Sequence, residues 1–82
     1  MIYKQSKIIS NMKSINCKYG SFSLERQTDE MGNKYFNVYD SFTNSFCGEL
    51  WGVDYLSLES KADIPEFAEA IELAFRNNQL FM

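Results

Sequence analysis

The side chains that could carry out catalysis are few and scattered along this chain. It has 82 residues, two cysteines and no histidine. The commonest general base is therefore absent, together with every Ser–His or Cys–His pair that could activate a nucleophile. A carboxylate pair could in principle be built from Glu25, Asp40 and Glu49, but so small a domain rarely encloses the pocket of roughly 300–1,000 Å³ that a substrate needs. The sequence predicts a protein that is not an enzyme.

Metal and cofactor sites also lack their usual residues. Cys17 and Cys47 are the only thiols, and without histidine they are too few to hold zinc. The four glycines occur singly, so there is no glycine-rich loop for phosphate groups. Two cysteines so far apart are typical of reduced thiols in a reducing compartment rather than of a disulfide framework. We expect no metal and no cofactor.

Residues suited to binding another molecule are more numerous than residues suited to catalysis. The first group is a set of aromatic side chains. In the predicted strands Tyr19, Tyr35, Tyr39 and Trp51 alternate with apolar residues, which places them on the sheet face away from the helix. Tyrosine and tryptophan combine large contact area with a polar group, as binding surfaces require. Tyr35, Tyr39 and Trp51 are therefore candidate partner-binding residues. The alternatives are a cover formed by the N-terminal segment or the last three residues, a second copy, or stacked bases of single-stranded nucleic acid.

The second candidate surface is the acidic side of the predicted C-terminal helix. Glu66, Glu69 and Glu72 share this side with Leu73. Such a run is either a solvated face or a docking surface for a partner with a basic surface, and an exposed leucine among glutamates favours a contact.

The helix that carries these residues is predicted over residues 63–78. Asp63 is a good N-cap, Pro65 lies in the first turn, and Asn77 and Asn78 suit a C-terminal stop. Its apolar residues have the spacing of a single stripe that must be buried. This stripe consists of Ile64, Phe67, Ala68, Ile71 and Phe75.

The sheet that should receive this stripe is predicted from alternating patterns. Strands are expected over residues 19–27, 34–41 and 45–52. Gly32 lies in the hairpin loop between the first two. Residues 53–60 are either a bent continuation of the third strand or a fourth strand. The predicted inward-facing side chains are Phe22, Leu24, Phe36, Val38, Phe46, Leu50, Leu56 and Leu58.

The expected fold is α+β: a three- to four-stranded antiparallel meander with the C-terminal helix packed on one face. We expect one domain over residues 1–82, composed of a basic N-terminal segment (1–17), the sheet (19–59) and the helix (63–78). The apolar spacing near residues 6–15 is compatible with a helix, which would give the order α-β-β-β-α, but a strand or a mobile arm fits it too.

Charge is distributed unevenly around the net value of −3. Residues 1–18 carry four lysines and no acid, whereas residues 49–82 carry seven acids and two basic side chains. Either the basic segment folds against the acidic half, or the two ends face different partners. No run approaches the ~18 apolar residues of a membrane span, and the N-terminus lacks the features of a signal peptide. We expect no membrane association and a cytoplasmic location.

These patterns favour a small, non-enzymatic, intracellular protein-binding module. Its size and its richness in Lys, Asn, Ile, Tyr and Phe suit an inhibitor or accessory factor of a phage or mobile element in an AT-rich genome. The alternative is a single-stranded nucleic-acid-binding protein that uses the lysine-bearing arm and the aromatic sheet face. A homodimer formed by two aromatic faces is the third hypothesis.

Overall fold

The structure, a computed structural model, describes residues 14–82 as an antiparallel sheet followed by a helix. Its four strands are joined in chain order, β1-β2-β3-β4, so the sheet is a meander. The predicted α+β meander with a C-terminal helix is confirmed. The elements are β1 (Ser14–Cys17), β2 (Gly20–Thr28), β3 (Lys34–Asp40), β4 (Phe46–Leu50), a 3₁₀ turn (Lys61–Asp63) and helix α1 (Ile64–Arg76).

The fourth strand is β1, at the N-terminal side of the sheet. Ile15 lies opposite Phe22 of β2 and is fully buried. Of the alternatives left open near residues 6–15, Ser14 and Ile15 adopt the strand and not the helix, while residues 6–13 lie outside the described residues. A β-branched isoleucine that fills the core from a half-buried strand is the physical reason for the extended conformation.

Residues 53–60 form irregular turns instead of a strand. Leu56 N donates to Val53 O at 3.0 Å, and Ser60 N donates to Ser57 O at 3.2 Å. These local bonds satisfy backbone groups that a strand would have paired across the sheet. Leu56 and Leu58 are nevertheless buried, as their apolar character predicted.

Helix α1 begins and ends close to its predicted limits. Asp63 precedes it without a side-chain cap, because Asp63 Oδ2 accepts a hydrogen bond from Ser57 N at 2.8 Å instead. At the other end Asn78 has a φ of 60°, and Gln79 N donates to Ala74 O at 2.8 Å. This left-handed asparagine turns the chain back towards the sheet, as C-terminal stops commonly do.

The core lies between α1 and the inner face of the sheet. The rings of Phe36 and Phe67 meet edge to face, with centroids 5.4 Å apart. Of the predicted helix stripe, Phe67 and Ile71 are fully buried, and the other three members are partly buried against the core. The buried side chains are Ile15, Phe22, Leu24, Phe36, Val38, Cys47, Leu50, Val53, Leu56, Leu58, Phe67, Ile71, Ala74 and Leu80.

One predicted core residue, Phe46, lies on the opposite face. Val38 pairs with Gly48, but Tyr39 pairs with Phe46, so Cys47 is an extra residue in β4. This β-bulge reverses the alternation at its N-terminal side. Phe46 is 48% exposed, with its ring centroid 5.7 Å from that of Tyr39, and Cys47 is 1% exposed. The inward placement predicted for Phe46 is therefore wrong, and the bulge is the reason.

The C-terminal tail runs back along the edge of β4. Leu80 lies opposite Gly48 and is buried, and Phe81 N donates to Cys47 O at 2.9 Å. The tail thus covers an edge whose backbone groups would otherwise be open to pairing with another chain. Within residues 14–82, no helix has the length and apolar character needed to cross a membrane.

Candidate functional site

The predicted binding residues lie on two surfaces that meet at Trp51. One is a depression of about 620 Å³ between α1 and the chain that leaves β4. We call it the helix groove and define it by Trp51, Tyr55, Glu66, Glu69 and Leu73, which all line it. It brings together predicted residues from both the aromatic and the acidic set.

Two local features of the chain position these side chains. Leu73 and Glu66 are two turns apart on the side of α1 that faces away from buried Phe67 and Ile71. Gly52, directly after Trp51, has a φ of 85°, a conformation that glycine adopts without steric cost. The chain can therefore turn there and bring the following loop opposite the helix.

The apolar part of the helix groove is unusually exposed. Trp51 is 47% exposed, Leu73 48% and Tyr55 68%. Single exposed apolar side chains are normal, but three large ones around a single depression are typical of a contact surface.

The charged lining of the helix groove is mainly acidic, with Glu66, Glu69 and Glu72 against one basic side chain, Arg76. The Tyr55 hydroxyl donates a hydrogen bond to Glu66 Oε2, and this bond raises the pKa of the Tyr55 phenol. Among the described residues the one salt bridge joins Arg26 and Glu59, at 3.2 Å. No described cation is therefore paired with the carboxylate of Glu66 or Glu69, and both remain available to a basic partner.

Glu72 differs from the other two predicted glutamates. It reaches the rim of the helix groove, but its Oε2 accepts a hydrogen bond from the backbone N of Lys18 at 3.0 Å. Glu72 therefore connects α1 to the turn between β1 and β2, and its role in partner binding stays a prediction.

The second surface is the sheet side opposite α1, which we call the outer face. Its aromatic side chains are Tyr35, Tyr39, Phe46 and Trp51. The rings of Tyr35 and Trp51 are stacked, with centroids 4.4 Å apart and planes 14° apart. Offset stacking of this kind stabilises both rings on the sheet surface.

Two carboxylates hold these aromatic groups in place. Trp51 Nε1 donates to Glu49 Oε1 at 2.9 Å, and the Tyr39 hydroxyl donates to Glu25 Oε1 at 3.0 Å. Desolvation raises the pKa of Tyr39, and the hydrogen bond to Glu25 adds to this shift. The outer face is therefore an aromatic surface with two acidic groups built into it.

Sequence reasoning misplaced one aromatic residue and missed two others. Tyr19 lies in the turn between β1 and β2, where strand alternation no longer applies, and its ring packs 4.8 Å from that of Phe75 on the helix side. Phe46 joins the outer face through the bulge, which glycine at position 48 could have indicated. Tyr55 lies on an irregular loop, for which no periodic signal exists.

Within residues 14–82, no group of three His, Cys, Asp or Glu side chains is placed to hold a metal ion. Cys17 and Cys47 lie on β1 and β4, the two outermost strands. Three strand spacings separate these strands, about 14 Å, whereas a disulfide requires Cα atoms within about 7 Å. The two thiols cannot pair within one molecule.

Comparisons with protein-family models, curated proteins and solved structures found no match to this chain. What it does must therefore be inferred from the helix groove and the outer face.

Proposed function

We propose that this protein is a non-enzymatic protein-binding module whose helix groove receives a segment of another protein. The observation that supports this most strongly is the meeting of three half-exposed apolar side chains with two carboxylates that have no described cationic partner. Trp51 and Tyr55 are of the residue types that dominate binding energy at interfaces, because they bury large area with few rotatable bonds.

The chemistry of the helix groove supports a partner segment that is both apolar and basic. An apolar side chain of the partner would lie between Trp51 and Leu73, while its lysine or arginine side chains would face Glu66 and Glu69. Complementary charge accelerates association and selects against acidic competitors, and the buried apolar contact supplies most of the affinity. The fitting ligand is a basic amphipathic segment.

The lining of the helix groove supports binding more than catalysis. Among the described lining residues there is no serine, threonine, cysteine or lysine. The groove therefore offers no aliphatic hydroxyl, thiol or amine nucleophile, and its one phenol, that of Tyr55, is hydrogen-bonded to Glu66. An open acidic surface of this kind suits a protein that occupies a site on its partner.

We extend this proposal to the biological setting. A small acidic module that covers a basic surface would act as an inhibitor or accessory factor. The composition of the chain suits a phage or mobile-element product in the cytoplasm of its host, and that cytoplasm is where we would look for the partner.

The test is affinity capture from native-host lysate, with and without nuclease, followed by mass spectrometry. We expect a stoichiometric protein partner that survives nuclease, is lost with E66K/E69K, and is weakened by L73A. The matched control is E30K/D54K, which reverses the same charge at exposed positions outside the groove. Retention by E66K/E69K, or equal loss with both double variants, would contradict the proposal.

Single-stranded nucleic acid fits the outer face less well. Trp51 already stacks on Tyr35, and Glu49 and Glu25 would repel phosphate groups there. Binding of nucleic acid would show an affinity that falls steeply with salt as counterions are released. Titration of labelled single strands at low salt separates this alternative from the protein-binding proposal.

A further inference from the structure

A second depression lies on the outer face, beside the edge of β4. We call it the aromatic pocket. It has a volume of about 430 Å³ and is lined by Phe46, Gly48, Glu49, Trp51, Gln79 and Phe81. Its aromatic side chains are only partly covered, since Phe46 is 48% exposed, Trp51 47% and Phe81 59%. Among the described lining residues Glu49 alone is charged.

The C-terminal tail forms one wall of the aromatic pocket. Leu80 is buried in the core, so its neighbours Gln79 and Phe81 project to the other side of the tail, as alternate residues of an extended chain do. Phe81 N donates to Cys47 O at 2.9 Å, which joins the tail to β4. The ring of Phe81 is therefore held beside the strand that carries the other rings of the pocket.

The remaining walls are fixed by contacts on the sheet surface. The ring of Trp51 stacks on that of Tyr35, with centroids 4.4 Å apart. The ring of Phe46 lies beside that of Tyr39, with centroids 5.7 Å apart. Trp51 Nε1 donates to Glu49 Oε1 at 2.9 Å, so the indole and the carboxylate keep one arrangement. No described residue forms a salt bridge with Glu49, and its charge is not neutralised by a described cation.

We infer that the aromatic pocket binds an arginine side chain of a partner protein. A cation is attracted to the faces of aromatic rings, and rings grouped around one carboxylate suit an organic cation. A guanidinium group fits better than an ammonium group because it is planar and weakly hydrated, stacks on rings, and donates two parallel hydrogen bonds to a carboxylate. The acidic lining of the pocket and the net charge of −3 also favour a basic partner.

Other occupants fit the aromatic pocket less well. An anionic ligand would be repelled by Glu49. A purely apolar side chain would remove the Glu49 carboxylate from water without giving it a partner. A second copy that offered its own outer face would bring Glu25 and Glu49 towards their counterparts, and like charges disfavour such a contact.

This inference deepens the proposed function, and it rests on that function in one respect. Trp51 and Gln79 line both the helix groove and the aromatic pocket, so the two depressions are adjacent. One partner segment can therefore place an apolar side chain between Trp51 and Leu73 and an arginine in the aromatic pocket. Binding of the guanidinium group itself does not require the helix groove.

The experiment is an NMR titration of the full chain with N-acetylarginine methylamide at low ionic strength. Trp51 is the one tryptophan of the chain, and its indole N–H resonance reports on the pocket directly. The control probe is N-acetylcitrulline methylamide, which has nearly the same shape without the charge. We expect a saturable shift of the indole resonance, with an affinity about tenfold higher for the arginine probe than for the citrulline probe.

Two variants test the walls of the aromatic pocket. E49Q keeps an acceptor for Trp51 Nε1 but removes the charge, and F81L removes the ring of the tail. Each should weaken binding of the arginine probe by about threefold or more. E30Q and F42L make the same changes at exposed positions outside the pocket and should leave the affinity unchanged. Folding of each variant is verified from the amide spectrum.

Three results would overturn the inference. The first is equal affinity for the arginine and citrulline probes, and the second is an equal effect of E49Q and E30Q. The third is an indole resonance that shifts on dilution of the protein without a probe, which would assign the pocket to a second copy.

Failure of this inference is distinguishable from failure of the proposed function. A lysate partner that is lost with E66K/E69K, without binding of the arginine probe, would retain the helix groove and remove the aromatic pocket. Specific binding of the arginine probe, without a captured partner, would retain the aromatic pocket and contradict the proposed function.

Discussion

Gly48 shows how one backbone position determines where the C-terminal tail can lie. Its φ is +125°, and a Cβ atom there would approach Gln79 O to 3.0 Å and Leu80 Cδ2 to 3.1 Å. Gly52 also has a positive φ, +85°, but a Cβ atom there would meet nothing within 4 Å. The two glycines therefore separate the effect of crowding from that of backbone strain.

We expect G52A to lower the free energy of unfolding by about 1–2 kcal/mol through backbone strain. G48A should lower it by roughly 1–3 kcal/mol more, because the tail must also move away from β4. Urea denaturation of both variants measures the difference. Equal destabilisation would show that the close contact between Gly48 and the tail has no energetic importance.

Tyr39 gives a prediction on pH at the same scale. Desolvation and the hydrogen bond to Glu25 raise its pKa in the folded state. Because the folded state holds this proton more tightly, the associated stability is complete below the unfolded pKa of about 10 and is lost as pH rises through the folded pKa.

We therefore expect the urea midpoint of the protein to fall above pH ~10, and to fall less in Y39F. At neutral pH, Y39F should be less stable by about 0.5–1.5 kcal/mol, the usual contribution of one hydrogen bond. Parallel losses of stability in the two proteins between pH 8 and 11 would contradict a raised pKa for Tyr39.

At the scale of elements, strand β4 carries the clearest departure from a simple alternating pattern. Without the bulge Phe46 and Leu50 would both point into the core, but only Leu50 is buried. We expect L50A to lower the free energy of unfolding by about 2–5 kcal/mol, as for other buried leucines. F46A should lower it by roughly 1 kcal/mol or less, since Phe46 is nearly half exposed and its ring lies beside that of Tyr39 on the sheet surface.

Thermal and urea unfolding of F46A and L50A provide the measurement. The ratio of the two effects is more informative than either value, because both variants remove a large apolar side chain from the same strand. A loss in F46A as large as that in L50A would place Phe46 in the core and remove the bulge.

The elements whose apolar residues repeat at a regular spacing could be predicted from the sequence. The features that depend on one residue or on a few hydrogen bonds could not. The apolar stripe of α1 and the alternation in β2 and β3 repeat often enough to predict the type of secondary structure and which side of each element is buried. The bulge at Cys47 inserts a single residue, which produces no repeating pattern in the sequence. The turns of residues 53–60 bury Leu56 and Leu58 through local hydrogen bonds, which an apolar pattern cannot distinguish from a strand.

The candidate site was predictable in its members more than in its arrangement. Residue type and the predicted exposed side of each element identified Trp51, Glu66, Glu69 and Leu73, which all line the helix groove. That Trp51 adjoins α1 depends on the turn at Gly52, and the contribution of Tyr55 depends on the loop that follows. Such tertiary placement depends on contacts distant in sequence, so local pattern does not reveal it.

At the scale of the whole molecule, the order of the strands and the position of α1 place the two candidate surfaces on different sides of the sheet. Helix α1 and β4 together form the helix groove, whereas β2, β3 and β4 form the outer face. Trp51 belongs to both because it lies at the corner where β4 ends. A substitution there would disturb two surfaces at once, and for this reason Leu73 and the pair Glu66 and Glu69 are the sharper probes of partner binding.

The same strand order determines the behaviour of the two thiols. Cys17 is partly exposed on β1, and Cys47 is buried on β4. Burial raises the pKa of the Cys47 thiol, and the nearby charge of Asp40 adds to the shift. A buried thiol that remains protonated is a poor nucleophile, so Cys47 should react only when the sheet opens.

We therefore expect iodoacetamide at pH 8 to modify Cys17 in the folded protein and to modify Cys47 at least ~10³-fold more slowly, in line with the usual stability of small domains. Under oxidising conditions the protein should form dimers through Cys17, and C17S should abolish them. Mass spectrometry of alkylated and oxidised samples measures both effects. A monomer lighter by two hydrogens would reveal an intramolecular disulfide, which would require β1 and β4 to be neighbours and would contradict the strand order on which both surfaces depend.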